Sequence, residues 1–305
     1  MKLALVFIAM DIFVQGYEHP CLEYDAFKSS LGKEIRIGNK IKRRAYRHKK
    51  KRTSYFRHAT YKDIRLVAKT YTIRKNSNYI HPLQEASFLG LFGKKPALVD
   101  FYGCYYSESE VTIFMEKLDI SLQKFYDEFV KLNWETKLEM FLPIADTLAE
   151  IHSEKWMHGD MKPENLVLVP KKYQLKLIDF GFSVPINTRS AGKSFIYGAP
   201  ERIKDTTKLA EPSQDVWGLA LIIILKSFKE MHAKVDAQWK GQGPPDMSHP
   251  PILSTIHGVL KNYQKKTGIP FFDVMSSWLI VEPTERISME MLAQGIRILL
   301  SSIPK

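Results

Sequence analysis

The chain contains 305 residues, of which 45% are hydrophobic and 12% aromatic, and it carries a formal net charge of +12 at pH 7. This composition excludes an intrinsically disordered chain, because it supplies enough apolar surface for one large domain or two smaller lobes. The only cysteines, Cys21 and Cys104, are too few for a disulfide framework, so we expect a reduced, intracellular protein.

The first segment in chain order, residues 1–30, is predicted to be an N-terminal extension. Lys2 is followed by an apolar run from Leu3 to Met10 that shares some features with a secretory signal. However, Asp11 interrupts the run, and no cleavage site with small residues follows closely. We therefore expect a strand or an anchoring extension and a cytoplasmic or nuclear location, with secretion as the less favoured alternative.

A basic segment comes next, because residues 42–52 hold eight lysines and arginines in eleven positions. We place a basic insert at residues 42–58. Such a block favours an acidic protein, nucleic acid or an acidic membrane surface as a partner, or a nuclear import signal. A solvated loop without a partner remains an equal alternative.

Strand patterns dominate up to about residue 117. Residues 63–71 alternate between apolar and polar side chains, and residues 110–117 are rich in β-branched and aromatic side chains. A helix is predicted from about Pro82, a residue that suits the first helical turn. Residues 31–117 therefore predict a small β-rich lobe.

Helical periodicity takes over in residues 118–305, and it is clearest in residues 134–154, where Pro143 predicts a kink. The apolar run at residues 216–225 is too short to span a bilayer and indicates a buried helix rather than a transmembrane segment. Two short apolar runs, NLVLVP and LKLIDF, predict a hairpin. The chain as a whole is predicted to be α+β, with a β-rich lobe followed by a larger helical lobe.

The hairpin carries two polar motifs, HGDMKPEN at residues 158–165 and IDFGF, in which Asp179 ends an apolar strand. Gly181 follows, and glycine can adopt a backbone conformation that other residues avoid. The side chains of Asn165 and Asp179 supply the hard oxygen ligands that Mg²⁺ prefers when it shares its shell with water and phosphate.

Two more side chains of the first motif suit group transfer. Asp160 would be free to accept a proton from an attacking hydroxyl, and Lys162 would offset charge on the group being transferred. His158 is expected to be a buried, hydrogen-bonded brace for the loop.

HGDMKPENL together with IDFG resembles the catalytic and metal-binding loops of the eukaryotic-type protein kinase family. The resemblance implies a bilobal kinase fold and a Ser/Thr kinase that transfers the γ-phosphate of ATP, bound with Mg²⁺, to a protein substrate. It makes Asp160 and Lys162 the catalytic residues and Asn165 and Asp179 the metal ligands.

The first lobe supplies further matches to the kinase pattern. Lys69 in LVAKT occupies the slot of the strand lysine that holds the α- and β-phosphates in the family, and Glu85 matches its acidic partner. Glu116 lies where the hinge strand begins, so the resemblance implies that Glu116 to Leu118 offer backbone groups to the adenine.

Later matches concern the architecture of the second lobe. Glu201 of YGAPE would pair with Arg286 of EPTERIS, and Asp215 at the head of a buried helix would brace the catalytic loop. Ser194 lies where Ser/Thr kinases carry a hydroxyl that meets the catalytic aspartate and Lys162. Together with the earlier motifs, the resemblance covers roughly residues 60–295.

The glycine-rich loop of the family is absent. Two partial registers compete, with Gly38, Lys40 and Arg43 in one and Arg47, Lys49 and Arg52 in the other. Basic side chains occupy glycine positions in both registers. Such a loop cannot bring its backbone amides as close to phosphates, although lysine and arginine can contact phosphates electrostatically.

Gly159 stands where many kinases carry an arginine that grips a phosphate on the activation segment. We therefore expect activity without phosphorylation of that segment, and loss of activity on alanine substitution of Ser183, Thr188 and Ser190 would contradict this hypothesis. The HGD triplet also resembles the aminoglycoside and choline phosphotransferases. A small-molecule phosphotransferase and a pseudokinase that binds nucleotide or acts as a scaffold are therefore the alternatives to an active protein kinase.

Overall fold

The computed structural model describes residues 21–23, 34–41, 54–73, 80–189, 196–238 and 246–304. The chain divides into two compact units, Met1–Leu118 and Asp119–Lys305. No helix within the described ranges is long and apolar enough to cross a membrane. The apolar run at residues 3–10, residues 42–53 of the predicted basic insert, Ser190 and Ser194 lie outside the described residues.

The first unit contains a six-stranded sheet with the order β1-β5-β6-β4-β3-β2. Its strands are β1 (Cys21–Glu23), β2 (Ile35–Lys40), β3 (Ser54–Tyr61), β4 (Ile64–Thr72), β5 (Phe101–Tyr106) and β6 (Glu110–Glu116). All neighbouring strands are antiparallel except β1 and β5, which are parallel. Helix α1 (Ile80–Phe92) lies between β4 and β5 in the chain.

One face of this sheet forms an apolar core. Leu66 and Ala68 of β4 are fully buried there and belong to one cluster with Ile35, Tyr105 and Phe114. Because side chains alternate across a strand, Lys69 projects from the opposite face of β4. The alternating pattern at residues 63–71 thus correctly predicted a strand.

A disulfide joins Cys21 to Cys104, with the two sulfurs 2.12 Å apart. The two cysteines face each other across the parallel pair of β1 and β5, and both are buried. Two cysteines were too few to predict a disulfide framework, so this pair was not anticipated. Their separation of 83 residues left no local signal for the pairing.

Strands β2 and β3 lie on either side of the basic segment in the chain. Gly38 and Lys40 lie in β2, which pairs with β3 and changes register between Ile37 and Lys40. Arg43, Arg47, Lys49 and Arg52 lie outside the described residues, so the choice between the two registers stays open. Residues 54–58, which the sequence analysis counted in the basic insert, lie in β3.

The second unit is mainly helical. Its helices are α2 (Leu122–Phe129), α3 (Trp134–Ser153), α4 (Pro200–Lys204), α5 (Pro212–Ser227), α6 (Met231–Gln238), α7 (Pro250–Thr267), α8 (Phe271–Met275) and α9 (Met289–Ser301). The side chain of Asn133 caps α3 by accepting from the Thr136 N–H at 2.8 Å. Helix α3 continues through Pro143, and a kink at that residue stays a prediction.

Short strands position the polar motifs in this unit. Strands β7 (Trp156–Met157) and β10 (Val184–Pro185) form one antiparallel pair, and β8 (Leu166–Leu168) and β9 (Leu175–Leu177) form another. The predicted hairpin is therefore confirmed. Helix α5 is confirmed as a buried helix, because every residue from Gln214 to Ser227 is buried.

Candidate active site

Lys69 and Glu85 form a buried ion pair in the first unit. Nζ of Lys69 donates to Oε1 of Glu85 at 2.9 Å and to Oε2 at 2.8 Å. The lysine residue is 5% exposed and the glutamate 0%. Burial excludes the water that would otherwise compete for these charges, so β4 and α1 hold the ammonium in one position. The predicted pairing is confirmed.

Tyr71 is a third member of this group that the sequence analysis missed. Its hydroxyl donates to Oε2 of Glu85 at 2.5 Å. The available signal was its position two residues after Lys69 in a strand, where side chains project from the same face.

Glu116 and Leu118, the two residues proposed to contact adenine, differ in whether their backbone groups already form hydrogen bonds. The Glu116 N–H donates to the Asp100 carbonyl at 3.0 Å, so this donor is already used. Leu118 is half-buried, and no hydrogen bond to its backbone occurs within the described ranges. Its N–H and C=O are thus the better placed of the two for a ligand.

Asp215, at the head of α5, fixes the backbone of the HGD motif in the second unit. Its carboxylate accepts from the His158 N–H at 2.7 Å and from the Gly159 N–H at 2.9 Å. His152 adds a side-chain contact at 3.1 Å, which the sequence analysis did not predict. Burial opposes ionisation of Asp215, but contacts with His152, His158 and Gly159 outweigh it and hold the pKa of this carboxyl below its ordinary value. The predicted brace is confirmed.

Gly159 adopts φ 79°, in the left-handed region that favours glycine. Both it and His158 therefore turn their N–H groups toward the same carboxylate. An arginine at this position would be strained in the observed backbone conformation.

His158 is fully buried and hydrogen-bonded, as predicted. Its Nδ1 accepts from the Asp160 N–H at 3.1 Å, so Nε2 carries the proton and donates to the Ile178 carbonyl at 3.3 Å. Its ring also contacts Phe180 edge to face, with centroids 5.3 Å apart. The imidazole thus joins the HGD loop to the strand end that precedes Asp179.

The carboxylate of Asp160 is held by two neighbours on its own loop. Nζ of Lys162 contacts Oδ2 of Asp160. Nδ2 of Asn165 donates to the Asp160 carbonyl at 2.8 Å and to Oδ2 at 3.2 Å. Lys162 therefore contacts the carboxylate, and its predicted role toward the transferred group stays a prediction. Asp160 is 4% exposed, which fixes its carboxylate with little freedom.

Asn165 and Asp179 are brought together by the β8–β9 hairpin, because Leu166 pairs with Leu177 and the Ile178 N–H donates to the Asn165 carbonyl at 3.0 Å. Since the Asn165 amide nitrogen faces Asp160, its Oδ1 points away from that residue. The described residues contain no cluster of three or more His, Cys, Asp or Glu side chains that could hold a metal. One amide oxygen and one carboxylate fit Mg²⁺ that takes its remaining ligands from phosphate and water.

The unusual backbone conformation in the IDFGF motif belongs to the aspartate. Asp179 has φ 69°, whereas Gly181 is absent from the described glycines with positive φ. The left-handed residue of this turn therefore lies two positions before the glycine that the sequence offered. Non-glycine residues rarely adopt this conformation, and such strain is common at functional sites.

Arg286 and Glu201 form the predicted pair in a bidentate arrangement. The guanidinium donates from Nη1 to Oε1 at 3.0 Å and from Nη2 to Oε2 at 3.1 Å. It also donates to the carbonyls of Ile280, Ser213 and Val281. Its side chain has no exposed surface, so this pair has a structural role in the second unit.

The residues that follow the IDFGF motif form hydrogen bonds with backbone groups of other segments. The Ser183 hydroxyl is fully buried and donates to the His158 carbonyl at 3.0 Å. An alanine at Ser183 would therefore remove a structural contact. Thr188 also has one, because its hydroxyl donates to the Pro185 carbonyl at 2.6 Å, and Ser190 lies outside the described residues. The Asn187 N–H donates to the Ala210 carbonyl, and the Ala210 N–H donates to the Thr188 carbonyl, both at 2.8 Å.

Comparison with known proteins agrees with these features. A family model described as protein kinase domain matches residues 54–295. A Caenorhabditis elegans protein named dual specificity mitogen-activated protein kinase kinase sek-1 is 35% identical over 140 residues, which cover 42% of this chain and 41% of that protein. The match therefore spans less than half the length of this curated relative.

Proposed function

Since the chain belongs to the protein kinase domain family, we propose that it is an active kinase that transfers the γ-phosphate of ATP to Ser and Thr hydroxyls of a protein substrate. The observation that carries the proposal is the fixed carboxylate of Asp160, held by Lys162 and Asn165. A group fixed in this way accepts a proton without reorganising during the reaction.

The remaining roles divide between the two units. In the first unit, the ammonium of Lys69, fixed by Glu85, would contact the phosphates, and the Leu118 backbone would contact the adenine. In the second unit, Asp160 would orient and deprotonate the acceptor hydroxyl. Lys162 would reduce the charge on that carboxylate and offset charge that develops nearby. Catalysis would then depend mainly on positioning and charge neutralisation.

Asn165 and Asp179 would hold Mg²⁺, which neutralises phosphate charge when it is bound with ATP. Their oxygens lie on neighbouring chain segments because of the β8–β9 pairing. Both residues would therefore be needed for tight binding of the metal-bound nucleotide.

The main test measures transfer from labelled ATP·Mg²⁺ to generic protein acceptors. We expect Asp160→Asn to lower kcat by about 10² to 10⁴, because general bases contribute on this scale. Lys69→Met should lower kcat/KM for ATP. Asp127→Asn and Lys124→Met, which change exposed residues of α2, are the matched controls and should behave as wild type.

The same test separates the alternatives. Nucleotide binding without transfer by the wild type would identify a pseudokinase. Transfer to aminoglycosides or choline but not to proteins would identify a small-molecule phosphotransferase. Transfer at the wild-type rate by Asp160→Asn would overturn the role of Asp160.

The type of acceptor residue can be tested with matched peptides that contain Ser, Thr or Tyr at one position. We expect transfer to Ser and Thr, since Lys162 resembles the acceptor machinery of Ser/Thr kinases. The relative named as dual specificity supports a second candidate, transfer to Tyr as well. Labelling of the Tyr peptide at a comparable rate would favour that candidate.

We also propose that the basic residues 42–58 contact an acidic protein, nucleic acid or an acidic membrane surface, and that the protein works in the cytoplasm or nucleus. The support is the density of positive charge at residues 42–52. Binding of this kind should weaken steeply as salt rises. If the affinity for every one of these partner classes were independent of salt concentration, the proposal would be wrong.

A further inference from the structure

Tyr71 contacts both members of the Lys69–Glu85 ion pair. Its hydroxyl donates to Oε2 of Glu85 at 2.5 Å, and Nζ of Lys69 lies 5.1 Å from the centroid of its ring. The phenol therefore binds the anion through its hydroxyl and lies close to the cation with its ring. All three residues belong to the first unit.

The burial of Glu85 makes this contact important. A carboxylate with no exposed surface is costly unless hydrogen bonds replace its lost hydration. Lys69 donates to each of its oxygens, and Tyr71 provides an additional donor to Oε2. Without that donor, the carboxylate would be less well satisfied and would be held less firmly by the sheet.

We propose that Tyr71 is a positioning residue, which fixes Glu85 and, through it, holds the Lys69 ammonium for the nucleotide phosphates. The inference deepens the proposed kinase function and rests on it. Tyr71 and Lys69 lie on β4, whereas Glu85 lies on α1. The hydroxyl thus adds a second link between strand and helix at the ion pair itself.

The same sheet provides a matched control. Tyr105 on β5 donates its hydroxyl to Oε1 of Glu110 at 2.6 Å, so it too is a tyrosine bonded to a carboxylate. Tyr105→Phe removes an equivalent hydrogen bond from a residue with no assigned role in the reaction. Tyr71→Phe keeps the ring beside Lys69 and deletes only the hydroxyl.

The first measurement compares kcat/KM for ATP in the two variants. Hydrogen bonds to charged groups are strong enough that we expect Tyr71→Phe to lower kcat/KM about tenfold. Tyr105→Phe should leave it unchanged within about twofold, and the affinity of Tyr71→Phe for adenosine, which lacks phosphates, should change by no more than about twofold. Equal losses for ATP and adenosine, or equal losses in both variants, would indicate a general structural role and overturn the proposal.

A double-mutant cycle tests whether Tyr71 acts through Glu85. In a Glu85→Gln background, Tyr71→Phe should lower kcat/KM for ATP by less than about twofold, because the hydrogen bond from Tyr71 to the Glu85 carboxylate is already lost. A further tenfold loss in that background would show that the hydroxyl acts elsewhere.

A readout that does not require activity separates this inference from the proposed function. We expect Tyr71→Phe to increase severalfold the rate at which N-hydroxysuccinimidyl acetate acetylates Lys69, measured by peptide mass spectrometry, because a less firmly held carboxylate leaves the amine more accessible. Tyr105→Phe should match wild type. An unchanged or slower rate in Tyr71→Phe would overturn the role of Tyr71, even if the wild type transferred no phosphate.

Discussion

Lys137 is a buried cation whose partners are backbone carbonyls and aromatic rings. Its Nζ donates to the carbonyls of Val130 at 2.9 Å and Ser227 at 3.2 Å, and it lies 4.7 Å from the ring centroid of Trp134. Neutral partners do not fully replace the hydration of an ammonium. Burial therefore lowers the pKa of Lys137 to about 8.

This lowered pKa predicts how stability depends on pH. The pKa of an unfolded lysine is 10.5, so between about pH 8 and pH 10.5 the unfolded chain binds more protons at this residue than the folded protein does. The free energy of unfolding should consequently gain a positive contribution from Lys137 as pH rises through this range. Below pH 8, both states are charged and the contribution stays constant.

Urea unfolding between pH 7.5 and pH 9.5 tests this expectation. The increase in unfolding free energy with pH should be smaller in Lys137→Met than in wild type, since Met does not titrate. Lys124→Met, at an exposed position, should retain the wild-type slope. An identical slope in Lys137→Met and wild type would show that the Lys137 pKa is not lowered by folding.

At the scale of elements, α5 approaches the loop that contains Asp160 so closely that only glycine fits at one position. A Cβ atom on Gly218 would lie 2.6 Å from Cβ of Met161 and 3.2 Å from the Tyr197 carbonyl oxygen. Met161 stands between Asp160 and Lys162, so any shift of its backbone also moves the residues proposed to act in transfer. The packing of α5 therefore sets the position of this loop.

Gly218→Ala should lower the unfolding free energy by about 1–3 kcal/mol, which is typical of overpacking. It should also lower kcat, because the loop must move to relieve the contact. Gly258→Ala is the matched control, since Gly258 also lies within a helix but has no atom within 4 Å of the added Cβ. That variant should gain about 0.5–1 kcal/mol from helix propensity and keep its activity. The prediction would be wrong if both alanine variants changed stability in the same direction.

Local sequence patterns predicted helices and strands more readily than they predicted the contacts between them. The β8–β9 hairpin and the buried helix α5 were predictable, because short apolar runs are interpretable without knowledge of distant neighbours. The pairing of Lys69 with Glu85 was expected only from the family resemblance. Tyr71 was missed because its hydrogen bond joins a strand to a helix 14 residues further along the chain. The direction of its side chain was predictable, but its partner depends on how the two elements pack.

At the scale of the whole molecule, the least predictable feature is the covalent link near the N-terminus. The disulfide of Cys21 and Cys104 joins residues 83 positions apart, and the strands that carry them are parallel neighbours. Parallel pairing requires a long connection, so periodicity within either strand carries no information about the other. This disulfide also bears on the proposed location, because the cytoplasm and nucleus keep most thiols reduced.

The disulfide should stabilise the protein mainly by restricting the unfolded chain. For a loop of this length the entropic contribution is at most about 4–5 kcal/mol, and strain or residual structure reduces it. We expect air-oxidised wild type to unfold at higher urea than the Cys21→Ala/Cys104→Ala variant, and dithiothreitol should remove most of this difference. The variant itself should not respond to dithiothreitol, which controls for other effects of the reductant.

Denatured wild type should take up N-ethylmaleimide only after reduction, whereas uptake of two labels per air-oxidised chain would show that the cysteines do not pair. Samples trapped with N-ethylmaleimide at cell lysis would then show whether the link exists in the compartment where the protein works.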